Sequence, residues 1–155
     1  MSTLEVKAIQ APTGYDLDMP AGAILQVVNA NTSSNVTVAG GFADIGLSAS
    51  ITPKFASSKI YIQASVACLM DGNSSSHEGF GIKILRDSTQ IYADQQEYSV
   101  YTAIVTRLLT PYMVMDTPNS TSALTYKLQA STYLDRGVAF QSGNTSFITL
   151  MEVAG

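Results

Sequence analysis

The stretch KIYIQASVACLM, residues 59–70, alternates an apolar set of side chains with a mixed set. The apolar set consists of Ile60, Ile62, Ala64, Val66, Cys68 and Met70. Successive side chains of a β-strand point to opposite faces of the sheet, so this set shares one face and predicts a half-buried strand. We expect Cys68 to be a small core residue, because a reactive thiol needs an exposed, electropositive setting.

The same period of two recurs on both sides of this stretch. ALTYKLQASTYL at 123–134, GIKILR at 81–86 and FITLMEV at 147–153 each predict a strand. In the first of them, the residues sharing one face are Leu124, Tyr126, Leu128 and Ala130. Residues 101–115 predict a bent strand, because Pro111 requires a bend, a bulge or an edge position.

Turn sequences rich in Asp, Asn, Ser and Gly separate these strands, as in DGNSSS at 71–76 and DTPNSTS at 116–122. Many short strands at this spacing predict an all-β fold, an antiparallel β-sandwich of the jelly-roll type. The start of the chain differs, with one weak strand pattern, LEVKAIQ, followed by a turn-rich segment. We therefore predict an extended N-terminal arm at 1–22 and a β-sandwich body at 23–155.

Composition excludes several classes of protein. Only 13% of the 155 residues are charged, about half the usual share of roughly 25%, which indicates a surface that is rich in Ser, Thr and Asn or covered by other subunits. The net charge of −4 and the lack of a basic run argue against nucleic-acid binding. We expect no membrane association, because no segment approaches the roughly 20 apolar residues that span a bilayer and no secretory signal is evident.

Catalytic and metal-binding patterns are weak. The single histidine, His77, lies in a polar loop, and no nucleophile elbow accompanies it. Two groups of residues could bind a cation: the loop residues Asp71, Asn73, His77 and Glu78, and the pair Asp16 and Asp18. Serines replace the acidic ligands that a calcium loop needs. We therefore expect no enzyme activity, no metal and no cofactor.

The tyrosines offer a binding surface. Eight are present, and Tyr92, Tyr98, Tyr101 and Tyr112 fall close together in the chain. Tyrosine joins an apolar ring to a polar tip and is frequent at protein interfaces. These residues could line a subunit contact or a glycan groove, or they could be half-buried tyrosines of an ordinary sheet edge.

Several phrases occur together in a characteristic order: MSTLEVKAIQ at 1–10, AGAILQVV at 21–28, DIGLSASITP at 44–53, SSKIYIQASV at 57–66, KILRDST at 83–89 and ITLMEV at 148–153. In this order they resemble virion structural proteins of tailed bacteriophages, particularly those of aquatic and cyanobacterial hosts. The resemblance covers about half of the chain. Residues 71–80 and 94–122 lie outside it, and a partner-specific surface is expected there.

The resemblance implies one of two roles. One is a capsid decoration (cement) protein, usually a homotrimer, that clamps the major capsid protein; the other is a tail-fibre or baseplate domain that contacts the host surface. The short chain without a shaft favours decoration, with synthesis in the bacterial cytoplasm and a final location in the virion. A carbohydrate-binding jelly-roll module is the third alternative. The candidate partner-binding residues are Leu4, Val6, Ile9, Tyr15, Tyr98 and Tyr101.

Overall fold

The computed structural model describes residues 19–70, 77–94, 100–101, 105–133 and 137–155. The described residues form twelve β-strands and no α-helix. The strands are β1 (Ile24–Thr32), β2 (Val36–Val38), β3 (Ala43–Ile51), β4 (Lys59–Met70), β5 (His77–Glu78), β6 (Phe80–Arg86), β7 (Thr89–Ala93), β8 (Val100–Tyr101), β9 (Thr106–Asp116), β10 (Leu124–Thr132), β11 (Val138–Phe140) and β12 (Ser146–Val153). Within the same ranges, no helix has the length and apolar character needed to cross a membrane.

The strands build two antiparallel sheets that pack as a sandwich. In the larger sheet, β4 is central: β9 pairs along one side of it, while β12 and β11 share the other side, followed outward by β1 and β2. The smaller sheet has the order β3-β10-β6-β7. A short separate pair joins β5 to β8. The predicted all-β antiparallel sandwich is therefore confirmed.

The chain alternates between the two sheets. Among the eight strands β1, β3, β4, β6, β7, β9, β10 and β12, every connection crosses from one sheet to the other except the β6–β7 hairpin. This strand order is consistent with the predicted jelly roll. The hairpin turns at Asp87, whose φ of 53° is of the kind that Asp tolerates in tight turns.

The predicted core faces are confirmed. All six apolar residues that alternate along β4 are buried, as are Leu124, Tyr126, Leu128 and Ala130 of β10. They pack with Ile45 and Leu47 of β3 into one apolar cluster between the sheets. Burial of this kind contributes about 25 cal/mol for each Å² of apolar surface removed from water, and it is the main force holding the sheets together.

Ala67 of β4 lies at the point where the neighbouring strand of β4 changes from β12 to β11. The β12 partners end at Ser65, and the β11 partners begin at Cys68. The backbone N–H of Ala67 donates to the Ser146 hydroxyl at 2.9 Å, and the Ala67 carbonyl accepts from the backbone N–H of Gln141 at 2.9 Å. Since unpaired buried backbone groups are costly, these two bonds let β4 continue through the switch as one strand of twelve residues.

The prediction of one bent strand at 101–115 was wrong in its bounds. Tyr101 belongs to β8, which pairs with β5, whereas β9 runs from Thr106 to Asp116 and pairs with β4 without a register shift. The edge position was one of the alternatives left open for Pro111, and it is the one observed: among the described strands, β9 pairs with β4 alone. The boundary between arm and body stays a prediction, because residues 1–18 lie outside the described ranges.

Candidate functional site

The two outer faces of the sandwich differ in chemistry. On the smaller sheet, Asp44 accepts hydrogen bonds from the Gln129 amide at 2.7 Å and the Lys127 ammonium at 3.1 Å. Ser50 and Thr125 share a hydroxyl–hydroxyl bond of 2.9 Å on the same face. These polar side chains hydrogen-bond to one another across neighbouring strands, as is typical of a sheet face that is exposed to water.

The outer face of the larger sheet carries an apolar row instead. Val27 on β1 lies opposite Met151 on β12, which lies opposite Tyr61 on β4, which lies opposite Met115 on β9. Val27 and Met115 are each more than half exposed, and Phe147, on the same face of β12, is also exposed. One row of side chains therefore crosses four strands and leaves apolar surface in water.

Strand β9 contributes most of this exposed surface. Its side chains alternate strictly between an inner and an outer set. Leu109 is 64% exposed and Met113 62% exposed, and Pro111 lies exposed between them. We call the outer side chains of β1, β12, β4 and β9 the apolar outer face; its main members are Val27, Tyr61, Leu109, Pro111, Met113, Met115, Phe147 and Met151.

The backbone of β9 is directed so that Pro111 lies on its open edge. Ala67 on β4 points its N–H and C=O toward β11 and β12, away from β9. Ser65 is two residues earlier and therefore in phase with Ala67, and it lies opposite Pro111. The nitrogen of Pro111 thus faces away from β4, which is the position where a strand tolerates proline. The outer edge of β9 consequently lacks one donor at its centre.

An ionic cluster holds the end of β9 against the smaller sheet. The Asp116 carboxylate accepts from Arg86 Nη1 at 2.8 and 2.6 Å and from the Tyr126 hydroxyl at 2.7 Å. The side chain of Asp116 is 10% exposed and that of Arg86 21% exposed. Arg86 and Tyr126 lie opposite each other on β6 and β10, so the carboxylate joins the two sheets.

A second carboxylate lies at the same end of the larger sheet, because Glu152 on β12 and Asp116 on β9 are both opposite Ile60 of β4. Glu152 on β12 is fully buried and accepts from the Gln26 amide at 2.6 Å and the Lys54 backbone N–H at 2.7 Å. The Phe55 backbone N–H also points at it, at 3.4 Å. Burial alone would raise the pKa of Glu152, but the hydrogen bonds to its carboxylate lower the pKa by more than burial raises it. The pKa of Glu152 therefore lies below its ordinary value. The carboxylate is therefore an anionic anchor for the turn after β3.

The sequence-predicted tyrosines divide into two groups. Tyr92 and Tyr112 are described: they lie on β7 and β9, are partly buried, and stack edge to face with ring centroids 6.1 Å apart. Burial raises the pKa of the Tyr112 hydroxyl. These two rings fill the sandwich margin, which is the half-buried alternative. Tyr98 lies outside the described residues, and Tyr101 is placed in β8 by its backbone alone.

The remaining predicted residues can be located in part. Leu4, Val6, Ile9 and Tyr15 lie outside the described ranges, so their role in partner binding stays a prediction. Cys68 is confirmed as a core residue, and burial raises the pKa of its thiol to about 12. Of the proposed cation ligands, only the backbone of His77 and Glu78 is described, in β5. Among the described residues, no cluster of three His, Cys, Asp or Glu side chains forms a metal site.

The apolar outer face is not among the sites predicted from the sequence, although the sequence of β9 carries a signal for it. In LLTPYMVM at 108–115, both alternate sets of side chains are mostly apolar. Leu108, Tyr112 and Val114 pack against the core, and the opposite set remains exposed. Two-sided apolar strands are typically covered on both faces. The mixed composition of the stretch and Pro111 predict a bent strand, whereas the structure shows a regular strand with a second, uncovered apolar face.

The comparisons with known proteins give structural likeness only. No family model and no curated protein matches this chain. The chain is similar to the infectious bursal disease virus VP2 subviral particle, with 13% identity and a TM-score of 0.47 over 96% of this chain and 42% of that chain. It is also similar to the T=1 particles derived from infectious bursal virus, with 14% identity and a TM-score of 0.46 over 96% of this chain and 41% of that chain. A third similar structure is dimeric latent PorU from Porphyromonas gingivalis, with 8% identity and a TM-score of 0.45 over 92% of this chain and 14% of that chain. The chain spans less than half the length of each of these proteins.

Proposed function

We propose that this chain is a virion structural protein that decorates an assembled coat, binding the major capsid protein as a homo-oligomer, for which the sequence resemblance implies a trimer. The observation that carries the proposal is the apolar outer face. Extended exposed apolar surface marks sites of protein contact, and this chain combines it with a low content of charged residues. A protein with such a surface acts by binding other proteins, and the proposed role is structural rather than enzymatic.

The sequence resemblance supports the same role and divides the chain sensibly. Five of its six phrases fall on β1, β3, the first two thirds of β4, the end of β6 with the turn after it, and β12; the sixth, MSTLEVKAIQ, lies outside the described residues. These strands form the framework of the sandwich. Strand β9 lies within 94–122, which the resemblance does not cover and where a partner-specific surface is expected. The exposed Leu109 and Met113 belong to that stretch.

The proposed mechanism is stabilisation by selective binding. A protein that binds the assembled lattice and not the dissociated coat subunits shifts the equilibrium toward the lattice by RT ln(1 + [L]/Kd). Binding at 100 times Kd corresponds to about 2.7 kcal/mol for each site. Many sites on one particle add up, so a modest affinity is enough to protect a capsid against heat or internal pressure.

The arm is proposed to make the second contact with a neighbour. Leu4, Val6 and Ile9 would add an extended apolar segment to the edge of a neighbouring sheet. Deleting residues 1–18 should leave the unfolding midpoint unchanged, because the bonds that begin the body, from Gly22 N–H to the Ala154 carbonyl and from Ala23 N–H to the Pro20 carbonyl, remain. Co-sedimentation with purified capsids should show that the truncated protein no longer binds.

The matched control is full-length protein with Leu4→Ser and Val6→Ser. It keeps the length of the arm and removes only its apolar anchors, so it should lose most of the binding too. Capsid binding that survives both changes would remove the arm from the mechanism.

The decisive test of the function is the copy number of this chain in purified virions, measured by quantitative mass spectrometry against the major coat protein. A number comparable to the coat protein is the expected result. A small fraction of it would assign the chain to a tail fibre or baseplate instead. Absence from the virion would overturn both and favour the sugar-binding module, which a glycan array then tests directly.

A further inference from the structure

The two-sided apolar character of β9 indicates that its outer side is covered in the working protein. The inner side chains Leu108, Tyr112 and Val114 pack on the core, yet the outer residues Leu109 and Met113 are just as apolar and remain in water. Strand patterns that are apolar on both faces belong to sheets that are covered on both faces. The outer face of the smaller sheet, in contrast, carries polar side chains that hydrogen-bond to one another, as expected of a face exposed to water.

The apolar outer face is electrically neutral across its centre. The charged residues of its four strands that point outward are Arg107 and Lys59, at opposite ends, and Arg107 Nη1 already donates to the Ser142 carbonyl at 2.7 Å. Between them lie apolar residues and the uncharged Asn29, Gln63 and Thr149. Such a surface offers nothing to a nucleic acid or a charged peptide, whereas two copies of it meet without repulsion.

The size of the face suits a second copy. All four strands lie side by side along about seven rows, opposite residues 59–65 of β4, and β4 and β9 continue together for five more. With about 4.8 Å between strands and about 3.3 Å per residue, the face measures roughly 600 Å², which is the lower end of the area that specific interfaces bury on each partner. A standard stable interface buries about 800 Å² on each partner. Outer faces of two sheets can pack at about 10 Å separation, as the two inner faces of a sandwich do.

The position of Pro111 favours contact through the apolar outer face rather than through strand pairing at the open edge of β9. Pairing of two β9 edges, or addition of a foreign strand there, would need a continuous row of backbone donors. The missing N–H of Pro111 interrupts that row at its centre, and proline on an edge is a recognised protection against strand addition. Its ring, in contrast, adds apolar area to the face between Leu109 and Met113.

We propose that the apolar outer face is the contact through which copies of this chain associate, with β9 supplying most of the exposed apolar side chains. The proposal deepens the proposed function and depends on it for the biological setting, since it names the surface that joins the copies of the decorating oligomer. The occupant is a second copy because the face is neutral, of dimer size and apolar on the side that no described strand covers. Met113 and Leu109 supply the largest exposed side-chain fractions.

The test uses purified full-length protein and its mass in solution, measured by light scattering and sedimentation equilibrium across a concentration series. The wild-type protein should have a multiple of the monomer mass of 16.4 kDa. Met113→Glu and Leu109→Glu should each weaken self-association by at least about tenfold, because a charge would be buried without a partner. Ser48→Glu, at an exposed position on the outside of the smaller sheet, is the control and should leave the mass unchanged.

Methionine oxidation provides an independent readout. In the oligomer, Met113 and Met115 should react with hydrogen peroxide several-fold more slowly than Met19, which is exposed at the start of the body. The Leu109→Glu variant should lose this protection while keeping the wild-type circular dichroism spectrum, and its unfolding midpoint should no longer depend on protein concentration. A wild-type monomer, or an oligomer that both glutamate variants leave intact, would overturn the proposal.

These outcomes separate the interface from the function. A wild-type oligomer that is dissociated by Met113→Glu but absent from virions would support the apolar outer face as a self-contact and reject the decoration role. A monomer found at coat-protein copy number would do the reverse. An oligomer with the mass of a dimer would support the face and correct the trimer expected from the resemblance.

Discussion

Replacing Asp116 by alanine is expected to lower the free energy of unfolding by about 3 kcal/mol, the lower end of the cost of breaking a buried ion pair from one side, because Arg86 stays partly exposed to water. The carboxylate binds Arg86 through both of its oxygens and also accepts from Tyr126. Its removal leaves a guanidinium that is 21% exposed and a fully buried tyrosine hydroxyl without their acceptor. The last residue of β9 would then no longer be tied to the smaller sheet.

The chain offers a matched control for this substitution. The pair of Lys127 and Asp44 also joins neighbouring strands, at 3.1 Å, but its side chains are 33% and 55% exposed. Asp44→Ala should cost no more than about 1 kcal/mol, because water and salt screen such pairs. Tyr126→Phe, which removes one hydrogen bond from the cluster, should fall between the two at about 1–2 kcal/mol.

The measurement is urea-induced unfolding. Where a variant keeps the wild-type m-value, the slope of unfolding free energy against urea concentration, a shift of the midpoint reports a change in stability alone. Equal midpoints for Asp116→Ala and Asp44→Ala would contradict the idea that the buried cluster holds the sheets together. A double replacement, Arg86→Met with Asp116→Leu, should recover much of the loss, because apolar substitutes for a buried ion pair often restore stability.

The core strands could be predicted because their signal is local. The alternation of Ile60, Ile62 and Ala64 lies within a few residues of sequence, and the pleat converts it directly into one buried face. The same reasoning located Cys68 in the core and Leu128 of β10 beside it. Wherever one side of a strand is apolar and the other mixed, the sequence pattern alone was enough.

The ionic anchors could not be predicted, because their partners are distant in sequence. Asp116 meets Arg86 thirty residues away, and Glu152 meets Lys54 and Gln26 at separations of 98 and 126 residues. Only the sheet topology brings these groups together. Glu152 still carried a hint, since it falls on the same face of β12 as the buried Ile148 and Leu150. A charged residue in an apolar set must find partners or neutralise.

The apolar outer face was missed for a different reason. A period of two is visible only when one set of side chains differs from the other, and in residues 108–115 of β9 both sets are mostly apolar. The pattern therefore predicts a strand but does not show which of its faces is buried, and Pro111 predicts a bend. What the sequence lacked was the identity of the neighbours: β4 alone pairs with β9 among the described strands, and its outer side is left open.

Replacing Glu152 by glutamine is expected to destabilise the protein by about 2–3 kcal/mol at neutral pH, since hydrogen bonds to a charged acceptor are worth about that much. Glutamine keeps the shape and one acceptor for the Lys54 N–H. Its own amide group, however, would face the Gln26 amide, which now donates to the carboxylate at 2.6 Å. Two donors would then meet in a buried site. The reversed pair, Gln26→Glu with Glu152→Gln, restores one acceptor and should regain part of the loss.

Acid should erase the difference between wild type and Glu152→Gln. The pKa of Glu152 in the folded protein lies below its ordinary value of 4.5, because the hydrogen bonds outweigh the opposing effect of burial. The stabilisation is therefore fully present above that ordinary value and is lost as the pH falls through the folded pKa, where the folded carboxylate is protonated as well. Unfolding free energies at several pH values between 3 and 8 should show a constant gap at the upper end that narrows below about pH 4.5. A gap that widened on acidification would mean that burial wins and that the pKa is raised, and Glu152 would then be a neutral acid rather than an anionic anchor.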